Sequence, residues 1–177
     1  MTRLSLKMLT LAGFAIAALV PPTIPAFAAG SDSPSTSSPP TDSGKKKDKK
    51  SEQEFLSGYK TAYATIYDRG EYKAGIQQLR ALKHDENADV ANLIGYSYRK
   101  LGQYDQSKTW YEAALKSDPT HVRTWQYYGL WQIEQGHRDQ AELHLQKIGS
   151  LCGTTCPEYK SLAEALDVTA KGGHAVY

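Results

Sequence analysis

Cys152 and Cys156 are the only cysteines in the 177-residue chain, and they flank the short segment Gly153-Thr154-Thr155. In an exported protein, an even and adjacent pair is most simply a disulfide. A bridge needs Cβ atoms about 3.5–4.5 Å apart, whereas helical neighbours four apart sit about 5–6 Å apart. The segment must therefore leave helical geometry, and Gly153 makes that easy. A redox-active pair lacks its C-x-x-C spacing here, and no Cys-His attachment motif points to haem. The histidines are His84, His121, His137, His144 and His174. His137 and His144 lie seven apart with no third ligand in view, so they read as solvated or interhelical side chains and no metal site is expected. Nucleophile-elbow, phosphate-cradling and paired-carboxylate motifs are missing from the sequence, so no catalytic residue, no cofactor and no enzyme activity is expected.

These residues sit in an unevenly composed chain. Arg3 and Lys7 precede the apolar run Met8–Val20, and Ala26-Phe27-Ala28 supplies the small residues of a cleavage site. That order predicts a secretory signal peptide over 1–28, cleavage near Ala28, and a periplasmic or secreted mature protein. The apolar run is short for a membrane span of about 20 residues. Residues 29–50 are rich in Ser and Pro, then in Lys, with no large apolar side chain; they predict a disordered arm. Its "KKKDKK" end, Lys45–Lys50, is a solubilising tether or a weak attractor for an anionic envelope surface. From Ser51 onward acidic residues outnumber basic ones, which argues against nucleic acid as a partner.

The remainder repeats. Gly95 recurs as Gly129 and Gly102 as Gly136, each 34 residues on, and "IGYSYRKLGQYDQSKTWYEAAL" aligns without gaps to "YGLWQIEQGHRDQAELHLQKIG". A weaker upstream copy carries Gly70, 32 residues before Gly102. Each unit reads as two amphipathic helices joined by a tight turn: Ala91, Ile94, Gly95 and Tyr98 share one face, while Ser107, Trp110, Tyr111 and Ala114 share another. Gly102 is the expected C-cap of the first helix. Asp118 is the expected cap of the next unit, with Pro119 in its first turn. Gly95 is costly within a helix, by about 1 kcal/mol relative to alanine, so something there must need the absence of a side chain.

The middle copy, with Ile94-Gly95, Tyr98, Tyr111, Ala114 and Pro119, resembles the tetratricopeptide repeat family at its 34-residue period. The last copy adds Trp125, Gly129 and Ala141 but lacks the closing proline; the first keeps Gly70, Tyr72 and Leu79. The resemblance implies an all-α fold: a short right-handed solenoid of three helix-turn-helix units, about 54–87, 88–121 and 122–150, in a domain spanning 51–170. It also implies that Gly95 and Gly129 let paired helices cross closely. Thr155 and Glu158 stand at capping-box spacing around Pro157, and Tyr159, Leu162, Ala163 and Leu166 form an apolar stripe. A helix over 157–170 is expected to cover the raw end of the solenoid, with 171–177 frayed.

In function, the resemblance implies an extended peptide held on a concave wall lined by the first helix of each repeat. By alignment that wall exposes Lys60, then Asn92, Tyr96 and Arg99, then Arg123, Gln126, Tyr127 and Leu130. Basic and aromatic groups suit an acidic segment through charge-assisted hydrogen bonds. The carboxylate clamp of some family members is incomplete here: Lys60 and Arg123 fall at two basic positions, but Ala64 and Leu93 stand where Asn is expected and Tyr127 replaces the last basic residue. The leading expectation is an exported protein-protein interaction adaptor. The alternatives are a thiol-disulfide or metal-handling accessory protein using Cys152 and Cys156, or a self-associating structural envelope component.

Overall fold

The computed structural model describes residues 43–173; the expected signal peptide, residues 29–42 of the expected arm, and the last four residues lie outside them. Among the described residues there are seven helices and no strand. They are α1 (Ser43–Tyr67), α2 (Tyr72–Ala81), α3 (Ala88–Lys100), α4 (Tyr104–Ser117), α5 (Val122–Glu134), α6 (Arg138–Cys152) and α7 (Pro157–Ala170). The helices pair as α1/α2, α3/α4 and α5/α6, with α7 packed on both α5 and α6. The architecture is the expected all-α one.

One boundary differs from the sequence expectation. Helix α1 begins at Ser43, inside the stretch expected to be a disordered arm through residue 50. Lysine is a good helix former, and extending an existing helix avoids the cost of nucleation.

The turns follow from their glycines. After α3, Gly102 adopts φ +71°. Its N–H donates to the Arg99 carbonyl at 3.0 Å, and the Gln103 N–H donates to Tyr98 at 2.9 Å. This is the Schellman pattern, which satisfies carbonyls that the helix end leaves open. Gly136 repeats it after α5, with φ +77° and with His137 N–H donating to Gln132 at 2.8 Å. Two expected N-caps are not observed. Asp118 instead closes α4, and its carboxylate accepts from the backbone and hydroxyl of Thr120; His121 is the residue before α5. Thr155 does not cap α7, whose flanking residue is Cys156, although Pro157 does open that helix. Asn87 is a cap the sequence reading passed over, its Oδ1 accepting from Val90 N–H at 3.2 Å.

Packing explains Gly95. A Cβ there would stand 2.8 Å from Cδ1 of Tyr111 and 3.3 Å from the Ser107 carbonyl oxygen of α4. The Ser107 hydroxyl also donates to the Gly95 carbonyl at 2.8 Å. The α3/α4 crossing is therefore close enough for side chain to backbone bonding. Gly129 plays a different part: a Cβ there would meet Leu162 of α7 at 2.5 Å, so this glycine seats the terminal helix. Pro119, expected as a repeat-closing residue, gives its carbonyl to the Trp125 indole N–H at 2.9 Å.

The core is a chain of clusters. Ala62, Ile66, Ile76, Leu79, Val90, Leu93 and Ile94 join α1–α3. Tyr111, Tyr128 and Trp131 join α4 to α5. Leu130, Ala141, Ile148, Leu162, Ala165 and Leu166 join α5–α7. Fully burying a side chain such as Leu162 contributes about 1.5–3 kcal/mol. Without α7 that apolar end would face water.

Candidate functional site: the wall of the first helices

Helices α1, α3 and α5 carry a continuous run of tyrosines on their shared side. On α1, Phe55, Tyr59, Tyr63 and Tyr67 recur every four residues, which places them along one face. Ring centroids step from Tyr59 to Tyr63 at 6.5 Å and from Tyr63 to Tyr67 at 4.4 Å. The run then crosses helices, from Tyr67 to Tyr96 of α3 at 5.0 Å and from Tyr96 to Tyr127 of α5 at 5.2 Å. The Tyr67 and Tyr127 hydroxyls share a hydrogen bond of 2.7 Å, closing an arch over Tyr96. Burial pushes the phenols of Tyr59 and Tyr96 up to about 12, and burial with the neighbouring Tyr127 pushes Tyr67 up further. At neutral pH they are uncharged. The sequence reading found Tyr96 and Tyr127 but missed the α1 tyrosines. Their four-residue spacing was the available signal.

Of the other residues expected on this wall, some are not on its surface. Asn92 is 2%, Arg99 4% and Leu130 1% exposed. Arg99 is turned inward, where its Nε and Nη2 donate to the two carboxylate oxygens of Glu134 at 2.9 and 2.8 Å. Burial is the largest single influence and opposes its charge, but the hydrogen bonds and charge of Glu134 together with Tyr111 outweigh it and hold the guanidinium above its ordinary value. Arg99 thus joins α3 to α5 and does not face a ligand. Alignment could not show this, because Glu134 lies a full repeat away and the depth of α3 is set by α5 packing on it. Gln126 is half-buried and donates to the Ser161 hydroxyl of α7 at 2.8 Å. Lys60 and Arg123 are exposed. Arg123 lies close enough to Tyr59 and Asp89 to act on both electrostatically.

One arrangement has the hydrogen-bond order of a catalytic triad. Asp89 Oδ1 lies 3.1 Å from His121 Nε2, and His121 Nδ1 lies 2.6 Å from Thr124 Oγ1. The His121 contact, with burial opposing it, holds the Asp89 carboxyl below the usual carboxylate range. A nucleophile must also reach its substrate, and Thr124 is 0% exposed. The triad-like set ties the starts of α3 and α5 together instead.

Cys152 and Cys156 are joined in the structure, with Cα atoms 6.0 Å apart, at the junction of α6 and α7. Gly153 takes φ +80° there, as the break from helical geometry requires. Their sulfurs and a Glu158 oxygen lie within 4.8 Å of one another. Sulfurs bonded to each other offer no thiolate, so the oxidised pair is a poor ligand set. Elsewhere, an open cleft of about 500 Å³ is lined by Ile133, Gly136, Arg138, Thr169 and Ala170. Its one cation is committed, with Arg138 donating to the Leu166 carbonyl and pairing with Glu142.

Comparison with known proteins agrees with this geometry. A tetratricopeptide repeat profile matches residues 88–121, which cover α3 and α4. Anaphase-promoting complex subunit 3 of Schizosaccharomyces pombe is 27% identical over 73 residues, spanning 41% of this chain and only 11% of that protein. Among solved structures, the Yersinia enterocolitica type III secretion chaperone SycD, in complex with a peptide of the translocator YopD, superposes with a TM-score of 0.55. It is 20% identical, and the match covers 68% of this chain and 92% of SycD. The second tetratricopeptide domain of human RPAP3, bound to an HSP70 peptide, gives a TM-score of 0.56 at 13% identity, covering 66% of this chain and 98% of that domain. The fold is a tetratricopeptide solenoid.

Proposed function

We propose that this chain is an exported protein-interaction adaptor that holds a partner segment on the wall of α1, α3 and α5. The observation that carries this reading is the half-exposed tyrosine run with Lys60 and Arg123 at its surface. Both solved neighbours described above were captured with peptides, which supports a peptide partner here. The cations favour a segment bearing carboxylates. The triad-like set of Asp89, His121 and Thr124 is sealed, so this reading gives it no catalytic role. Export rests on the leader-like order of residues 1–28. Among the described residues no helix is long and apolar enough to cross a membrane. The Lys45–Lys50 segment would add attraction to an anionic envelope surface.

The test is to place a photo-crosslinking amino acid at Lys60 and capture partners from the native cell envelope. A partner crosslinked at Lys60, but not from a control position such as Leu143 on α6, is the expected result. N-terminal sequencing of the same preparation should begin near Ala29; a chain still beginning at Met1 refutes export. A thiol-disulfide or metal-handling role for Cys152 and Cys156 remains the second reading; with the pair reduced, the adjacent Glu158 oxygen would complete a three-ligand set. It predicts that reduction releases two titratable thiols at a potential near that of cellular thiol carriers.

A further inference from the structure

We infer that the partner segment is an extended proline-rich chain in the polyproline II conformation that carries a carboxylate. This rests on the proposed use of the wall and names the chemistry the wall recognises. The carboxylates that α3 and α5 bring to the wall are already engaged, Asp89 by His121 and Glu134 by Arg99. Beside them stands the run of uncharged phenols, with apolar ring faces and hydroxyls that donate as well as accept. A polyproline II chain has no internal hydrogen bonds, so its carbonyls point outward. Proline has no N–H to satisfy. Aromatic-lined grooves recognise such chains by packing rings against pyrrolidines.

The dimensions fit. From Phe55 to Tyr67 the helix advances about 18 Å, and polyproline II rises about 3.1 Å per residue. The α1 run therefore matches about six partner residues. Tyr63 is the rung most open to such a partner, at 38% exposure. Lys60 stands three residues before Tyr63 on α1, and Arg123 is close enough to Tyr59 to act on it electrostatically. Two cations flanking a neutral aromatic run select a carboxylate within the proline tract more by attraction and register than by depth of burial.

Calorimetry with three synthetic probes decides this: a ten-residue proline peptide with one central glutamate, the same peptide with a central lysine, and a Gly-Ser peptide with the central glutamate. The first should bind to the full mature chain, and the other two about tenfold or more weakly. Tyr63→Ala should weaken the first probe by about tenfold, as loss of an aromatic contact does, and Lys60→Glu should abolish its preference over the lysine probe. Both side chains are exposed, and circular dichroism checks that the variants fold. Equal binding of the Gly-Ser and proline probes overturns the inference, as does no binding by any of them or an unchanged affinity in Tyr63→Ala. A native partner that crosslinks at Lys60 through a proline-free segment overturns this inference alone. A partner that avoids Lys60 overturns the adaptor site with it.

Discussion

Arg99 shows how far one buried side chain can shift the meaning of a position. Its charge is held by Glu134, which keeps part of its side chain in water, so water can solvate the carboxylate if the arginine is removed. Breaking a buried pair costs about 3–5 kcal/mol, and this partial exposure places Arg99→Met nearer to about 2 kcal/mol. The double variant Arg99→Met/Glu134→Leu should recover most of that loss, read as urea midpoints. Equal midpoints for wild type and Arg99→Met would show that the pair contributes nothing. His144 is the second residue with a measurable signature. Burial against Trp125 and Tyr128 pushes its pKa below the ordinary histidine value, with the Trp125 carbonyl opposing. The unfolded chain therefore takes up the proton first. Above about pH 6.5 both states are neutral and the ring costs nothing; below it, stability is lost progressively until the lower folded pKa is reached. Between about pH 7.5 and pH 5 the denaturation midpoint should fall more for wild type than for His144→Gln. Parallel curves would remove His144 as the cause.

At the scale of elements, the α3/α4 hairpin is the best-determined part, and Gly95 is its test. Tyr111 cannot retreat because it is fully buried between α3 and α5, and the nearest backbone atom is a carbonyl oxygen of the partner helix. Gly95→Leu should therefore cost about 1–3 kcal/mol or more through overpacking. An unchanged denaturant midpoint would mean that the helices do not cross there. This element was legible in the sequence because its information is local: a 34-residue period, glycine at fixed places and apolar residues at helical spacing. The terminal helix was legible for the same reason, through Leu162, Ala163 and Leu166. The start of α1 was not, since helix propensity carries the chain back to Ser43 with no repeat signal to mark it. The wall was legible in part. Lys60 and Arg123 are exposed, as the alignment expects. Arg99 and Asn92 lie on the same helix surface by alignment, yet are covered, because coverage is set by which α5 residues pack on α3. Tertiary depth is not a periodic property, so the repeat could not reveal it.

Across the whole molecule, contacts run mainly between neighbouring helices, as in other quasi-one-dimensional folds. Such a chain tends to open from its ends. Three interactions work against that here. Asp89–His121 and Arg99–Glu134 fasten α3 to α5 near opposite ends of the two helices, and Tyr67–Tyr127 reaches from the first repeat to the third. The last is the one with energetic consequences beyond nearest neighbours, because it lets α5 stabilise α1 without acting only through α3. A neutral hydrogen bond contributes about 0.5–1.5 kcal/mol net, and half-buried hydroxyls that water can reach belong at the low end. Tyr67→Phe and Tyr127→Phe should each cost about 0.5 kcal/mol, and the double variant should cost little more than either alone. The diagnostic measurement is native-state hydrogen exchange. In Tyr127→Phe, whose change lies in α5, the amides at the end of α1 around Tyr67 should exchange faster, while those of α7 around Leu162 should not. Additive effects of the two substitutions, with exchange in α1 unchanged by a substitution in α5, would show that the hydroxyls meet without coupling the repeats.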